Sequence, residues 1–117
     1  AKAVADEFGA STGELNVDGD KLGIDIIVNA TPLGTKGGEE EATIATERNL
    51  RGVKLVYDLV YNPTETRLIR EARSAGVASI GGLEMLIAQG AKQFEIWTGE
   101  KAPIEAMTSA IKKKLRL

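Results

Sequence analysis

Cysteine and histidine are both missing from these 117 residues. The first absence removes disulfides and thiolate chemistry. The second removes the commonest general base and the commonest zinc ligand. Any chemistry therefore falls to Asp, Glu, Lys, Tyr, a hydroxyl or a bound cofactor, and no metal site is expected. Proline occurs three times and aromatic residues make up only 4% of the chain. No apolar run approaches the ~18 residues a membrane helix requires, and the opening residues lack the pattern of a signal peptide. What remains is 43% hydrophobic and 27% charged, which matches a folded globular protein and argues against disorder. The length suits one small domain.

The first residues form an unusual opening. Ala1, Val4, Ala5 and Phe8 recur at helical spacing, and Gly9 supplies a C-terminal stop. No Ser, Thr, Asp or Asn precedes them as a cap, so they read as the end of a helix whose beginning is cut away, the alternative being a start processed by removal of Met. Charge is also uneven: net −5 over residues 1–60 and net +3 over 61–117. The basic excess sits in Lys112, Lys113, Lys114 and Arg116. Cations at a helix end complement its dipole, and no aromatics stand nearby to stack bases, so a nucleic-acid partner is not expected.

Strand and helix patterns alternate. Ile24–Asn29 and Val53–Val60 are short, β-branched and almost continuously apolar, as in strands buried on both faces of a parallel sheet. Val77–Ile80 is a shorter third strand. Between the last two, Leu68, Ile69, Ala72 and Ala75 follow Pro63 and Thr66 at helical spacing and Gly76 closes the helix. Strand, helix and strand at these intervals make a βαβ unit. A Gly- and Glu-rich loop, Gly34–Arg51, carries one short helix near Ala45–Leu50. Two C-terminal helices complete the chain. The first, Gly82 to Trp97, gathers Leu83, Leu86, Ile87, Gly90, Phe94 and Trp97 on a face expected to pack on the sheet. Met85 and Ile96, with Gln89 among them, form an apolar opposite face that calls for a further covering element, such as a second domain. The second starts at Pro103, suited to the first helical position, and carries Ile104, Met107, Ile111 and Leu115. The fold class is α/β: a partial Rossmann-like parallel sheet of about three strands with flanking helices and two C-terminal helices.

Ligands of parallel α/β sheets bind beyond the carboxyl ends of the strands. Three stretches lie there: Asn29-Ala-Thr-Pro-Leu-Gly34, Asp58-Leu-Val-Tyr-Asn-Pro63 and Gly81-Gly82. Each alone is ordinary turn chemistry; together they mark one rim. Gly81-Gly82 either opens backbone N–H groups to a ligand or makes a tight turn at positive φ. Gly34-x-x-Gly37-Gly38 lacks the Lys-Ser/Thr ending of a phosphate loop, and Glu39–Glu41 would repel phosphate, so it reads as a solvated loop. Asn29-Ala30-Thr31 matches a glycosylation pattern, but its Asn ends a buried strand.

Asn29–Gly34, Val56-Tyr-Asp-Leu-Val-Tyr-Asn-Pro63 with Thr66, and Gly82–Ala91 through Phe94 and Trp97-Thr-Gly99 together resemble the shikimate dehydrogenase family over residues 25–103. The resemblance implies the C-terminal, nucleotide-binding portion of an enzyme that reduces 3-dehydroshikimate to shikimate with NADPH, in the cytoplasm, during aromatic amino acid biosynthesis. It implies that Tyr61 and Gln89 contact substrate, that the backbone at Leu59 and Gly82 lies against the nicotinamide end of NADP, and that Thr31 and Met85 line the same cleft.

The departures from that family are as informative. Its catalytic Lys and Asp belong to an N-terminal domain, and its Gly-x-Gly-Gly loop and Asn-Arg-Thr stretch have no counterpart in these residues. Thr35 stands where Met is frequent, and Glu84 where Gly is frequent. No catalytic residue is assigned within the 117, and the chain alone is expected to be inactive. A quinate or shikimate dehydrogenase using NAD, a bifunctional parent, and a non-catalytic half-Rossmann module binding a protein partner are the competing readings.

Overall fold

A computed structural model describes residues 1–14 and 18–116. Helix α1 (Lys2–Phe8) begins at Ala1 without a side-chain cap and ends at Gly9, whose φ of 63° lets the following turn close onto Ala5. A four-residue helix, α2 (Gly19–Leu22), was not expected. Asp18 caps it by accepting from the Lys21 N–H.

The sheet is parallel throughout and runs β1 (Ile26–Asn29), β2 (Leu55–Asp58), β3 (Ala78–Ile80) in chain order. The register sets Asn29 directly opposite Asp58 at the carboxyl end. Helix α3 (Arg67–Ser74) connects β2 to β3, as the βαβ spacing requires. Thr66 caps α3, and Gly76, at φ 69°, turns the chain toward β3.

The core lies on one face of the sheet. Ile27 and Val56 meet Leu68 and Ala72 of α3 there, together with Ile44, Ala45, Leu50 and Val53 from the long connection. Within the connection, the stretch expected as a solvated loop is exposed at Lys36–Glu39 and buried at Gly34. Further along, a 3₁₀ turn at Glu47–Leu50, near the short helix expected, and the Ile44–Ala45 pair fill core volume. Glu71 of α3 fastens this turn by accepting from the Glu47 N–H at 2.7 Å while pairing with Arg67. That backbone hydrogen bond, helped by Arg67, holds the Glu71 carboxyl below its usual pKa.

Three expectations fail. β1 is not buried on both faces: Ile27 and Asn29 point into the core, while Ile26 and Val28 are 55% and 50% exposed. Continuous apolar character reports what a strand could bury, whereas the described residues cover one face only. Likewise the Leu83–Trp97 face of α4 (Gly82–Thr98) does not lie on the sheet. Gly82 at the helix start meets the loop after β2, donating its N–H to the Val60 carbonyl. The helix packs instead on α5 (Ile104–Leu115), with Met107 against Gly90, and Trp97 is 79% exposed. Pro103 occupies the cap position rather than the first helical turn. Among the described residues no helix is long and apolar enough to cross a membrane.

Candidate functional site

The carboxyl ends of β1 and β2 open into a cleft of about 280 Å³ lined by Ala30, Thr31, Thr35, Leu59, Val60, Tyr61 and Asn62. The strands bring these residues together because they are register neighbours: the loop after Asn29 and the loop after Asp58 leave the sheet side by side. The Gly34–Gly38 turn is tied to the same rim, the Lys36 N–H donating to the Asn62 carbonyl at 2.8 Å.

Below the cleft lies a polar network that sequence reasoning missed. Asn29, Asp58 and Thr66 are all 1% exposed or less. Asp58 Oδ1 accepts from Asn29 Nδ2 at 2.9 Å and from the Val60 N–H at 3.0 Å. Its Oδ2 accepts from the Thr66 hydroxyl. The second Asn29 amide proton goes to the Leu33 carbonyl at 3.1 Å. Asn29 Oδ1 accepts from the Thr31 N–H at 3.1 Å and from the Thr31 hydroxyl at 2.7 Å. Every amide proton of Asn29 is consumed, so this side chain is structural and no acceptor for a glycan. A polar residue ending a strand reads as a turn former; the signal that it is more is that both Asn29 and Asp58 fall on the inward parity of their apolar strands.

The predicted site residues separate into two groups. Thr31, Leu59 and Tyr61 wall the cleft, with the Tyr61 side chain 42% exposed at its mouth. Gly82, Met85 and Gln89 lie on α4, outside the cleft lining but on one helical face, since residues three and four apart are neighbours. Gly82 links the groups. A Cβ there would sit 2.3 Å from the Leu59 carbonyl oxygen and 2.7 Å from that of Val60. Its N–H donates to Val60 at 3.3 Å. Glycine is therefore needed at this position not for positive φ but so that α4 can start against the floor of the cleft. Met85 is half-buried. Gln89 is exposed and accepts from Gln93 Nε2 at 3.0 Å, which leaves both amide protons of Gln89 available to a ligand.

As a binding surface the cleft is small, near the low end of the roughly 300–1,000 Å³ of ligand pockets. Its walls are apolar with hydroxyls at Thr31, Thr35 and Tyr61. That fits the ring end of a dinucleotide and not its whole length.

The Shikimate 5'-dehydrogenase C-terminal domain family matches residues 82–112. The shikimate dehydrogenase (NADP+) of Methanopyrus kandleri is 39% identical over 121 residues, covering 99% of this chain and 42% of its own length. A crystal structure of a shikimate dehydrogenase in complex with NADP+ is 43% identical and superposes with a TM-score of 0.80, over 98% of this chain and 42% of that one. The shikimate 5-dehydrogenase of Thermus thermophilus, in complex with NADP(H) and shikimate, gives 33% and 0.81 over 97% and 41%. The chain thus spans about two-fifths of the length of these relatives, and over nearly all its residues it matches the C-terminal portion of shikimate dehydrogenases.

Proposed function

We propose that this chain forms the C-terminal part of the nucleotide-binding domain of an NADP-dependent shikimate dehydrogenase, reducing 3-dehydroshikimate to shikimate. The observation that carries the reading is the cleft walled by Thr31, Leu59 and Tyr61 at the carboxyl ends of a parallel sheet, in a chain 43% identical to an NADP+-bound shikimate dehydrogenase.

Bound NADPH supplies the hydride. The chain's own part is to hold the reactants in position. The Leu59 backbone and Thr31 form the wall against which the nicotinamide end rests. Gly82 brings α4 to that wall, so that Met85 continues it and Gln89 stands one turn further along. The Tyr61 phenol and the Gln89 amide give and receive hydrogen bonds with substrate oxygens. No residue of the cleft is a proton donor matched to the alkoxide that hydride addition creates. That proton comes from a lysine of the N-terminal substrate domain, and the pyrophosphate is held by a Gly-rich loop in the preceding part of the nucleotide domain. The exposed faces of β1 and α4 are surfaces for those parts. The reading makes this a cytoplasmic enzyme whose partners are small molecules and not nucleic acid or membrane.

A chimera tests this. Residues 1–117 replace the matching C-terminal segment of the Thermus thermophilus enzyme, and NADP+ reduction is followed on adding shikimate. Turnover by the chimera, with none from the 117 residues alone, is expected. A folded chimera that oxidises no shikimate overturns the reading, as does measurable turnover by the 117 residues alone.

A further inference from the structure

Asp58 is fully buried and no cation pairs with it among the described residues. What surrounds it is three donors, each from a different segment: the Asn29 amide at the end of β1, the Val60 N–H in the loop after β2, and the Thr66 hydroxyl at the start of α3. Burying a carboxylate is costly unless it is hydrogen-bonded, and a carboxylate is the side chain that accepts at both oxygens with no donor to misplace. A turn or a helix cap alone would need one of these bonds. The Asn29 and Val60 bonds, both to Oδ1, fix the two loops that wall the cleft relative to each other, while the Thr66 hydroxyl satisfies Oδ2. Through Asn29 the tie extends to the N–H and hydroxyl of Thr31, and on the other side it ends at the N–H of Val60, the residue before Tyr61.

We propose that Asp58 is a positioning residue, whose carboxylate locks Thr31 on one wall and Tyr61 on the other at the separation the reactants require. The inference rests on the function proposed for the cleft. It adds that the geometry of the cleft is set from below, by a residue that touches neither substrate nor cofactor.

The geometry distinguishes three substitutions. Asp58→Asn can turn its oxygen toward Asn29 and Val60 and its amide toward Thr66, whose hydroxyl oxygen can accept; the ties to both walls survive. Asp58→Ala severs both. Thr66→Val removes the third donor at nearly constant volume and leaves both wall ties intact.

In the chimera, Asp58→Ala is expected to lower kcat for shikimate oxidation about a hundredfold at saturating substrate, the cost of a misplacement of about 1 Å. Asp58→Asn and Thr66→Val should stay within a few-fold of the parent. A merely structural role would lower the yield or the melting temperature without moving kcat per folded molecule. Kinetics of folded Asp58→Ala within twofold of the parent overturn the proposal. So does a loss with Asp58→Asn as deep as with Asp58→Ala.

Amide hydrogen exchange on the 117-residue protein gives a second readout that needs no activity. Asp58→Ala should speed exchange at Thr31 and Val60 at least tenfold beyond any change at Val56 or Tyr57. Asp58→Asn should not. If Asp58→Ala does not fold, the comparison of Asp58→Asn with Thr66→Val decides: both must keep the parent's protection at Thr31 and Val60, and selective loss at either amide in Asp58→Asn contradicts the lock. A parent chimera without turnover sinks the functional reading only, since exchange still decides the lock.

Discussion

At position 82 the backbone of one element occupies the space a side chain would need. With the Leu59 carbonyl oxygen 2.3 Å from an added Cβ, Gly82→Ala must push α4 away from β2. Overpacking of this kind typically costs about 1–3 kcal/mol, and urea unfolding of the 117-residue protein should show a loss of that size. Gly81, whose added Cβ would stand an ordinary 3.6 Å from the Thr64 carbonyl, should accept alanine within about 0.5 kcal/mol. Tyr61 tests the opposite case, a residue important to chemistry and unimportant to stability. Its side chain is 42% exposed, so Tyr61→Phe should leave the unfolding free energy unchanged within about 0.5 kcal/mol. In the chimera the same change should lower kcat/KM for shikimate about tenfold, the worth of one lost hydrogen bond. Unchanged kinetics would remove Tyr61 from the site.

Among the elements, α3 ties the rest together. Thr66 begins it and joins the buried network, and Glu71 in its middle fastens the 3₁₀ turn. Glu71 has a lowered carboxyl pKa in the folded protein. Its charge therefore stabilises the fold above the unfolded value of about 4.3, and that contribution is lost as the pH falls through the lower folded value. Urea midpoints measured between about pH 6 and 3 should fall on the acid side, and Glu71→Gln should flatten that fall. An equally steep fall in the variant would show that the tie contributes nothing. The order of elements, the βαβ unit and the Gly9 and Gly76 stops were all legible in the sequence, because period and left-handed glycines are local properties. Two things were not. The apolar face of α4 was visible, but its partner was not, since amphipathicity states what a helix can bury and not against what. The roles of Asn29 and Asp58 were hidden because their bonding depends on strand register, which pairs residues 29 apart. The space constraint at Gly82 was hidden for the same reason, being contact with the backbone of Leu59 and Val60, distant in the chain.

The whole molecule is more open than its length requires. Its radius of gyration is 16.3 Å, against about 13.4 Å for a compact domain of this size. Its accessible surface is 8195 Å², against about 6,100 Å² for a typical monomer of its mass. Among the described residues, the excess follows from α4 and α5 packing on each other and from the exposed Ile26 and Val28 of β1. Stability should be concentrated accordingly on the α3 side. Leu50→Ala, at a fully buried position, should cost about 2–5 kcal/mol. Val28→Thr, on the open face, should cost under about 0.5 kcal/mol, and similar losses from the two would contradict the one-sided core. In the enzyme proposed here that open surface is where the other parts seat, and the rim above β1 and β2 is where the reactants meet. The most direct measurement is a two-dimensional amide spectrum of the chimera titrated with NADP+ and shikimate. The account predicts the largest shifts at Thr31, Leu59, Tyr61 and Gln89. Shifts that spare these four and gather elsewhere, as along the basic end of α5, would contradict it.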